Sequence, residues 1–310
     1  MQRWATSASA FADLLETAAE AMRSSPLRDH CTLRLPRRGR LLATGDIHDN
    51  QLHLEAVVRA ARLSRAADNH ADNHADNHVV LHELIHGDRL VSGMDMSHRM
   101  LAKVAELVIA HPLQVHPILA NHEIAQYRRQ HISKGAGDNL QLFDAGLEWV
   151  FGDEAEVAAD AIGAFVRAMP LALRCENGTM VSHSLPSAAQ MPYFDPGVFG
   201  RDLVEEDFDG PSGAAYIMTW GRNHPPEHLE SLARAWGVKL FIVGHSHASE
   251  GIDFRPPNLV ILNTDHSQGR VLEIDLAEDA PDAASLVGRA IPVQSYFDLD
   301  SLSSGEGRHA

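Results

Sequence analysis

Apolar residues recur along the chain with two periods, and the switches between them outline the elements. Phe11, Leu14, Leu15, Ala18 and Met22 fall at i, i+3, i+4, i+7 and i+11, the stripe of one helix. Leu33–Leu35 and Leu41–Thr44 read as short strands on either side of the basic turn PRRGR. The second ends in GDIHDN, where Asn50 can cap a helix that buries Leu54, Val57, Val58 and Ala61. VVLHELIHGD reads as a buried strand running into a loop, and Asp95 can open a helix with Met100, Val104, Leu107 and Val108 inward. VHPIL is again strand-like and ends in ANHE. Strand, helix, strand, helix, strand is the alternation of an α/β layer architecture.

Further along, residues 138–168 predict two helices opened by Asp138 and Asp153, ahead of Pro170. MVSHS and a Gly- and Pro-containing stretch at 192–213 follow. Pro225 and Pro226 open a helix with Leu229, Leu232, Ala233 and Trp236 on its inner face. KLFIVGHSH is a strand with a polar tip, and NLVILNT and RVLEIDL predict a hairpin through HSQG. The organisation expected is an N-terminal helix in residues 1–30, a main domain over 31–276 with a helical insert at 124–168, and a loose tail at 277–310.

Between helix and strand lies ADNHADNHADNH, residues 67–78, the one internal repeat. In a helix His70, His74 and His78 would stack on one face and could grip a metal. Asp and Asn are poor helix formers, however, and the unit has no apolar face to bury. A lengthened, solvated loop on the side of the sheet away from the strand tips is the expectation, with deletion of residues 71–78 leaving activity intact.

Net charge changes the picture next. With 26 basic and 42 acidic residues the chain carries −16, which argues against bulk attraction to nucleic acid or to an anionic membrane surface. The two cysteines, Cys31 and Cys175, make a disulfide framework improbable and suit a reducing cytoplasm. No run approaches the ~18 apolar residues of a spanning helix, and the N-terminus lacks a secretory core. Oligomeric state is left open.

Chemistry collects at the carboxyl ends of the strands: Asp46 and His48 after the first, Asp88 after the second, Asn121, His122 and Glu123 after the third, then His183, His245 and His247. Open α/β sheets place ligands in such crevices. Two aspartates, several imidazoles and an amide suit a pair of divalent cations that together clamp a phosphate and activate water.

GDIHDN, GDRLVSG, ANHE, SHS and GHSH, in this order over residues 45–247, resemble the blocks D-x-H, G-D-x-x-D, G-N-H-D/E, H and G-H-x-H of the calcineurin-like metallophosphoesterase superfamily. The likeness is nearest the protein-phosphatase and diadenosine-tetraphosphatase-like branch. It implies two packed mixed sheets flanked by helices, an α+β four-layer fold. It implies Asp46, His48 and His247 on one metal, Asn121, His183 and His245 on the other, and Asp88 bridging them. His122 becomes the proton donor. Mn²⁺ or iron is implied, with Zn²⁺ as an alternative.

Val91 and Ser92 then stand where the family has a second aspartate and an arginine, and Leu119 and Ala120 replace an arginine and glycine before the N-H pair. Arg89 and Arg222 are the candidates to grip phosphate instead. Glu123 reads as a carboxylate on a helix dipole, and His82, His86, His111 and His116 as packing or surface residues. The activity implied is hydrolysis of a phosphomonoester, phosphoprotein or small metabolite. A phosphodiesterase or dinucleoside-polyphosphate hydrolase is the first alternative, and a non-catalytic metal-binding scaffold the second.

Overall fold

The computed structural model describes residues 2–64, 75–131, 133–134 and 137–297. Among these, one sheet runs β1 (Arg28–Asp29), β2 (Thr32–Leu35), β8 (Ala172–Cys175), β9 (Thr179–Ser182), β10 (Leu240–Val243), β12 (Leu259–Leu262), β11 (Ile252–Arg255). A second runs β14 (Ile291–Pro292), β13 (Arg270–Asp275), β3 (Arg40–Asp46), β4 (Asn77–His82), β5 (Val115–Ile118). A small ribbon pairs β6 (Ser133–Lys134) with β7 (Gly137–Asp138). β3, β4 and β5 are parallel, as are β9, β10 and β12, so their carboxyl ends share a direction within each sheet.

Period-two alternation divides each central strand between two cores. Leu41 and Ala43 of β3, Val80 of β4, Leu240 and Ile242 of β10, and Leu272 and Ile274 of β13 meet in the layer between the sheets. Leu42, Val79, Leu81, Phe241 and Val243 face outward into helices. Those helices are α1 (Ala8–Arg23), α2 (Gln51–Ala61), α3 (His98–Ala110), α4 (Asn121–Tyr127), α5 (Asn139–Phe151), α6 (Ala155–Ala168), α7 (Ala214–Trp220), α8 (Pro226–Trp236) and the short α9 (Ala283–Leu286). The result is two mixed sheets flanked by helices.

Most start signals read from the sequence are the ones used. The Asn50 side chain accepts from the His53 amide and opens α2, and Asp138 accepts from Leu140 to open α5. The stripe of α1 buries Phe11, Leu15, Ala18 and Met22 against α3 and α6.

Two expectations differ. NLVILNT and RVLEIDL do not form a hairpin: β12 joins the seven-stranded sheet, and β13 pairs antiparallel with β3 in the other. β12 is buried on both faces, a place inside a sheet rather than on a half-solvated hairpin. The chain crosses between sheets at Asn263–Thr264, where the Thr264 hydroxyl accepts from Gly45 N at 2.7 Å. The third ADNH unit is also more than loop. Its Asn77 and His78 are the buried first residues of β4, in register with Arg40 and Leu41 of β3. Residues 65–74, with the first two units, lie outside the described residues.

Candidate metal centre

Strand tips from both sheets converge on one cavity of about 530 Å³. Asp46 ends β3, Glu83 follows β4, Asn121 and His122 open α4 just past β5, and His245 lies two residues beyond β10. His183, one residue beyond β9, lies beneath them, fully buried. Bringing two sheets' tips so close constrains the backbone. A Cβ at Gly45 would stand 2.0 Å from the Leu262 carbonyl oxygen, and one at Gly244 2.1 Å from Asp46 Oδ1. His48, Glu83, His86 and His245 all have positive φ, between 44° and 62°, strain that the surrounding packing must hold.

The side chains meet closely. Glu83 reaches His48 Nε2 and His122 Nε2 at 3.5 Å each, and His183 Nε2 at 3.7 Å. Asn121 Oδ1 lies 2.6 Å from His183 Nε2 and 3.1 Å from His245 Nδ1. Asp46 Oδ1 accepts from the His245 amide at 2.9 Å, and its carboxylate is within hydrogen-bonding reach of Glu83. Three overlapping groups result, each with its ligand atoms within 4.8 Å of one another: Asp46, His82, His183; His48, Glu83, His122; and Glu83, His183, His245.

The electrostatics fit a cation. Burial works against the Asp46 carboxylate, but His48 and His82 together with the His245 amide hold it below its ordinary range. Burial, then neighbouring His245, pushes the His183 pKa far down, and burial with Arg222 takes His245 to about 3. Both imidazoles are therefore neutral near pH 7 and offer lone pairs. Two carboxylates within hydrogen-bonding reach of each other, beside the neutral His183 and His245 rings, require a shared proton or a positive charge between them. Oxygen and nitrogen donors in this mixture suit divalent cations of the Mn, Fe and Zn type.

Of the residues singled out by the sequence, Asp46, His48, Asn121, His122, Arg222, His245 and His247 line the cavity, and His183 backs it. His247 stands at the exposed rim, in none of the three close groups. Asp88 does not join them. It lies exposed, six residues past the end of β4, and the carboxylate that this loop brings to the cavity, beside Asp46, is Glu83. His86, three residues after Glu83, takes the place assigned to Val91; its ring is 5.4 Å from that of His122, and Nδ1 meets Asp95 Oδ2 at 2.8 Å. Val91 is exposed. Arg89 binds the His48 carbonyl at 2.8 Å and Asp265 Oδ1 at 2.7 Å, bracing the His48 loop from outside the cavity lining.

Gly87 and Asp88 carry the familiar Gly-Asp pair of the motif, but five positions too late. The apolar run that forms the strand ends at His82, so the first residue beyond the tip is Glu83, and that was the available signal. Glu123 likewise has a more specific duty than a dipole contact: Oε1 accepts from Leu84 N at 2.7 Å and Ile85 N at 3.3 Å, fixing the loop that carries Glu83.

Fold and site together define a scaffold of two stacked sheets whose tips gather side chains that could hold metal. The chain belongs to the calcineurin-like phosphoesterase family, whose family model matches residues 39–249. It is accordingly a phosphoester hydrolase of a kind that uses divalent metals.

Solved structures share the fold. A protein serine/threonine phosphatase from Saccharomyces cerevisiae is similar at TM-score 0.61 and 13% identity, over 86% of this chain and 82% of that one. The cold-active protein-tyrosine phosphatase of a psychrophilic Shewanella species is similar at TM-score 0.54 and 12% identity, over 83% and 80%. Among curated protein sequences none matches the chain significantly. No helix among the described residues is long and apolar enough to cross a membrane.

Proposed function

We propose that the protein is a divalent-metal-dependent phosphomonoesterase acting on a phosphoprotein or a small phosphorylated metabolite. One juxtaposition carries the reading: Glu83 lies within 3.7 Å of three imidazoles and in reach of Asp46, in a cavity that also holds Asn121. In this reading Asp46, His48, Glu83, Asn121, His183 and His245 would hold the cations, with His247 at the rim. Mn²⁺ or iron suits these donors. Bound there, the cations would offset the carboxylates, polarise the phosphoryl oxygens and supply an activated water for in-line attack.

The chain's own residues do the rest. Arg222 lines the cavity and makes no ion pair among the described residues, so its guanidinium is available to phosphate oxygens. His122, held between His48 and His86 with ring separations of 5.2 and 5.4 Å, gives the leaving oxygen a proton from Nε2. Trp220 walls one side and limits water.

A diester or dinucleoside-polyphosphate substrate is the second reading, favoured by one observation. A further cavity of about 770 Å³ adjoins the first at Arg222, and its lining includes Arg255 but no carboxylate. Turnover of p-nitrophenyl phosphate, its bis ester and diadenosine tetraphosphate separates the two. Chelation abolishes turnover and Mn²⁺ restores it, with the monoester fastest. Activity that survives chelation and dialysis contradicts the metal-dependent reading, and a metal-loaded protein inert on every ester returns the chain to a binding scaffold.

A further inference from the structure

The cavity of about 770 Å³ that adjoins the site at Arg222 is larger than the site's own, about 530 Å³, and no step of the monoester chemistry uses it. Its volume lies in the range that small-molecule sites occupy. Arg222, Asn223, Ser246 and Arg255 are among its polar lining, and no carboxylate is, in a chain that carries −16 overall. Pro225 and Ile261 add apolar surface.

The wall that carries Arg222 and Asn223 is braced, while the two side chains are not engaged. It is the link between α7 and α8, residues 221–225. A Cβ on Gly221 would lie 1.7 Å from the Leu185 carbonyl oxygen, so the backbones touch there. Ser184 Oγ donates to the Gly221 carbonyl at 2.6 Å. His224 and His228 give Nε2–H to the Leu185 and Pro186 carbonyls at 2.9 and 2.8 Å. Asn223 is held at φ 62°, a left-handed conformation sparsely used by residues with a side chain. Among the described residues, neither the Arg222 guanidinium nor the Asn223 amide makes a hydrogen bond or ion pair. Unused donors on a fixed backbone are arranged in advance for a ligand. Arg255, the last residue of the edge strand β11, lines the same cavity. Its Nη2 pairs with Asp253 at 2.8 Å, and a guanidinium with five N–H groups keeps donors to spare.

We propose that this cavity is a subsite for a second phosphate, carried by the leaving group of the substrate, with Arg255 and Asn223 holding it and Arg222 shared between the two cavities. The inference rests on the phosphomonoesterase reading and deepens it, naming the substrate class as small molecules that bear two phosphates. Guanidinium groups from two segments with an amide match the three terminal oxygens of a phosphate, and the unlike charge is what sets this cavity apart from the acidic surface. A dinucleoside polyphosphate offers the same chemistry through the far end of its phosphate chain, and the test separates the two sources.

The test uses the full-length, Mn²⁺-loaded protein as wild type, Arg255→Gln and Asn223→Gly; glycine keeps the left-handed backbone accessible. Propane- to octane-diol bisphosphates are compared with the matching alkyl phosphates and with diadenosine tetraphosphate. The expected result is kcat/KM ~10–100-fold higher for the best bisphosphate than for its monophosphate, chiefly through KM, with each variant losing most of that preference. A wild-type ratio near one overturns the proposal, as does a preference that survives both substitutions. Diadenosine tetraphosphate preferred over every bisphosphate, with the same dependence on Arg255, upholds the subsite and overturns the bisphosphate source. Inorganic phosphate titrated into the metal-free protein, read by NMR at the Asn223 side-chain amide, tests the subsite without turnover. A saturable shift that Arg255→Gln abolishes supports it, and no shift overturns it. That shift in a protein which, loaded with Mn²⁺, hydrolyses none of the esters would refute the hydrolase reading and leave the anion subsite in place.

Discussion

Single residues decide the chemistry, and most of them were legible. Asp46, His48, Asn121, His183 and His245 each sit within a few residues of a strand end, and polar residues at such tips need a reason to be there. What the sequence hid was which carboxylate completes the set. Glu83 and Asp88 differ by five positions, and only the true end of β4, at His82, tells them apart. At this scale the proton-donor role proposed for His122 predicts that His122→Ala lowers kcat by ~10²–10⁴ with Mn²⁺ affinity retained. Stopped-flow turnover beside calorimetric Mn²⁺ titration checks this, and a parallel loss of metal would instead make His122 a ligand.

Elements come next, and the ADNH repeat is instructive. Its final Asn77 and His78 are built into β4, with Asn77 Nδ2 donating to the Arg62 carbonyl at 2.9 Å and His78 Nδ1 placed 3.0 Å from the Leu113 carbonyl. Residues 62 and 77 are therefore already in contact. Removing residues 71–78 leaves one ADNH that slides into the strand's place, so the fold and turnover should survive. A thermal melt and a turnover assay check it, and a collapse of either would mean the deleted residues are needed by the fold or the site. Asn77→Ala and His78→Ala, by contrast, should each destabilise.

The start of α3 carries a second expectation. His98 packs edge-on against Phe11, Phe143 and Phe151, and burial takes its pKa down to about 4. The unfolded chain therefore binds a proton below about pH 6.5 that the folded chain refuses, and stability falls as pH drops from there to about 4. His116, depressed by burial to about 3, adds to the same window. His98→Phe should raise the melting temperature more at pH 5 than at pH 8. Equal shifts at the two pH values would show that His98 does not carry this cost.

At the scale of the whole molecule, the α/β alternation was readable because hydrophobic periods survive in each segment, while sheet membership was not. β12 and β13 look like partners in sequence, yet the crossing at Asn263–Thr264 sends them to different sheets, and that crossing is what brings Asp46 beside Asn263. The site therefore belongs to the packing of the sheets on each other rather than to any one loop. The molecule as a whole is acidic, at −16, so under the proposed function an anionic ester would have to be drawn in by cations at the site and by Arg222 against the general field.

The most direct measurement compares Glu83→Gln with Asp88→Asn for bound Mn²⁺ and for turnover. Glu83→Gln should lose most of both while remaining folded, and Asp88→Asn, altering an exposed loop residue, should match wild type. The reverse pattern, with Asp88→Asn inactive and metal-free and Glu83→Gln unaffected, would contradict the centre described above.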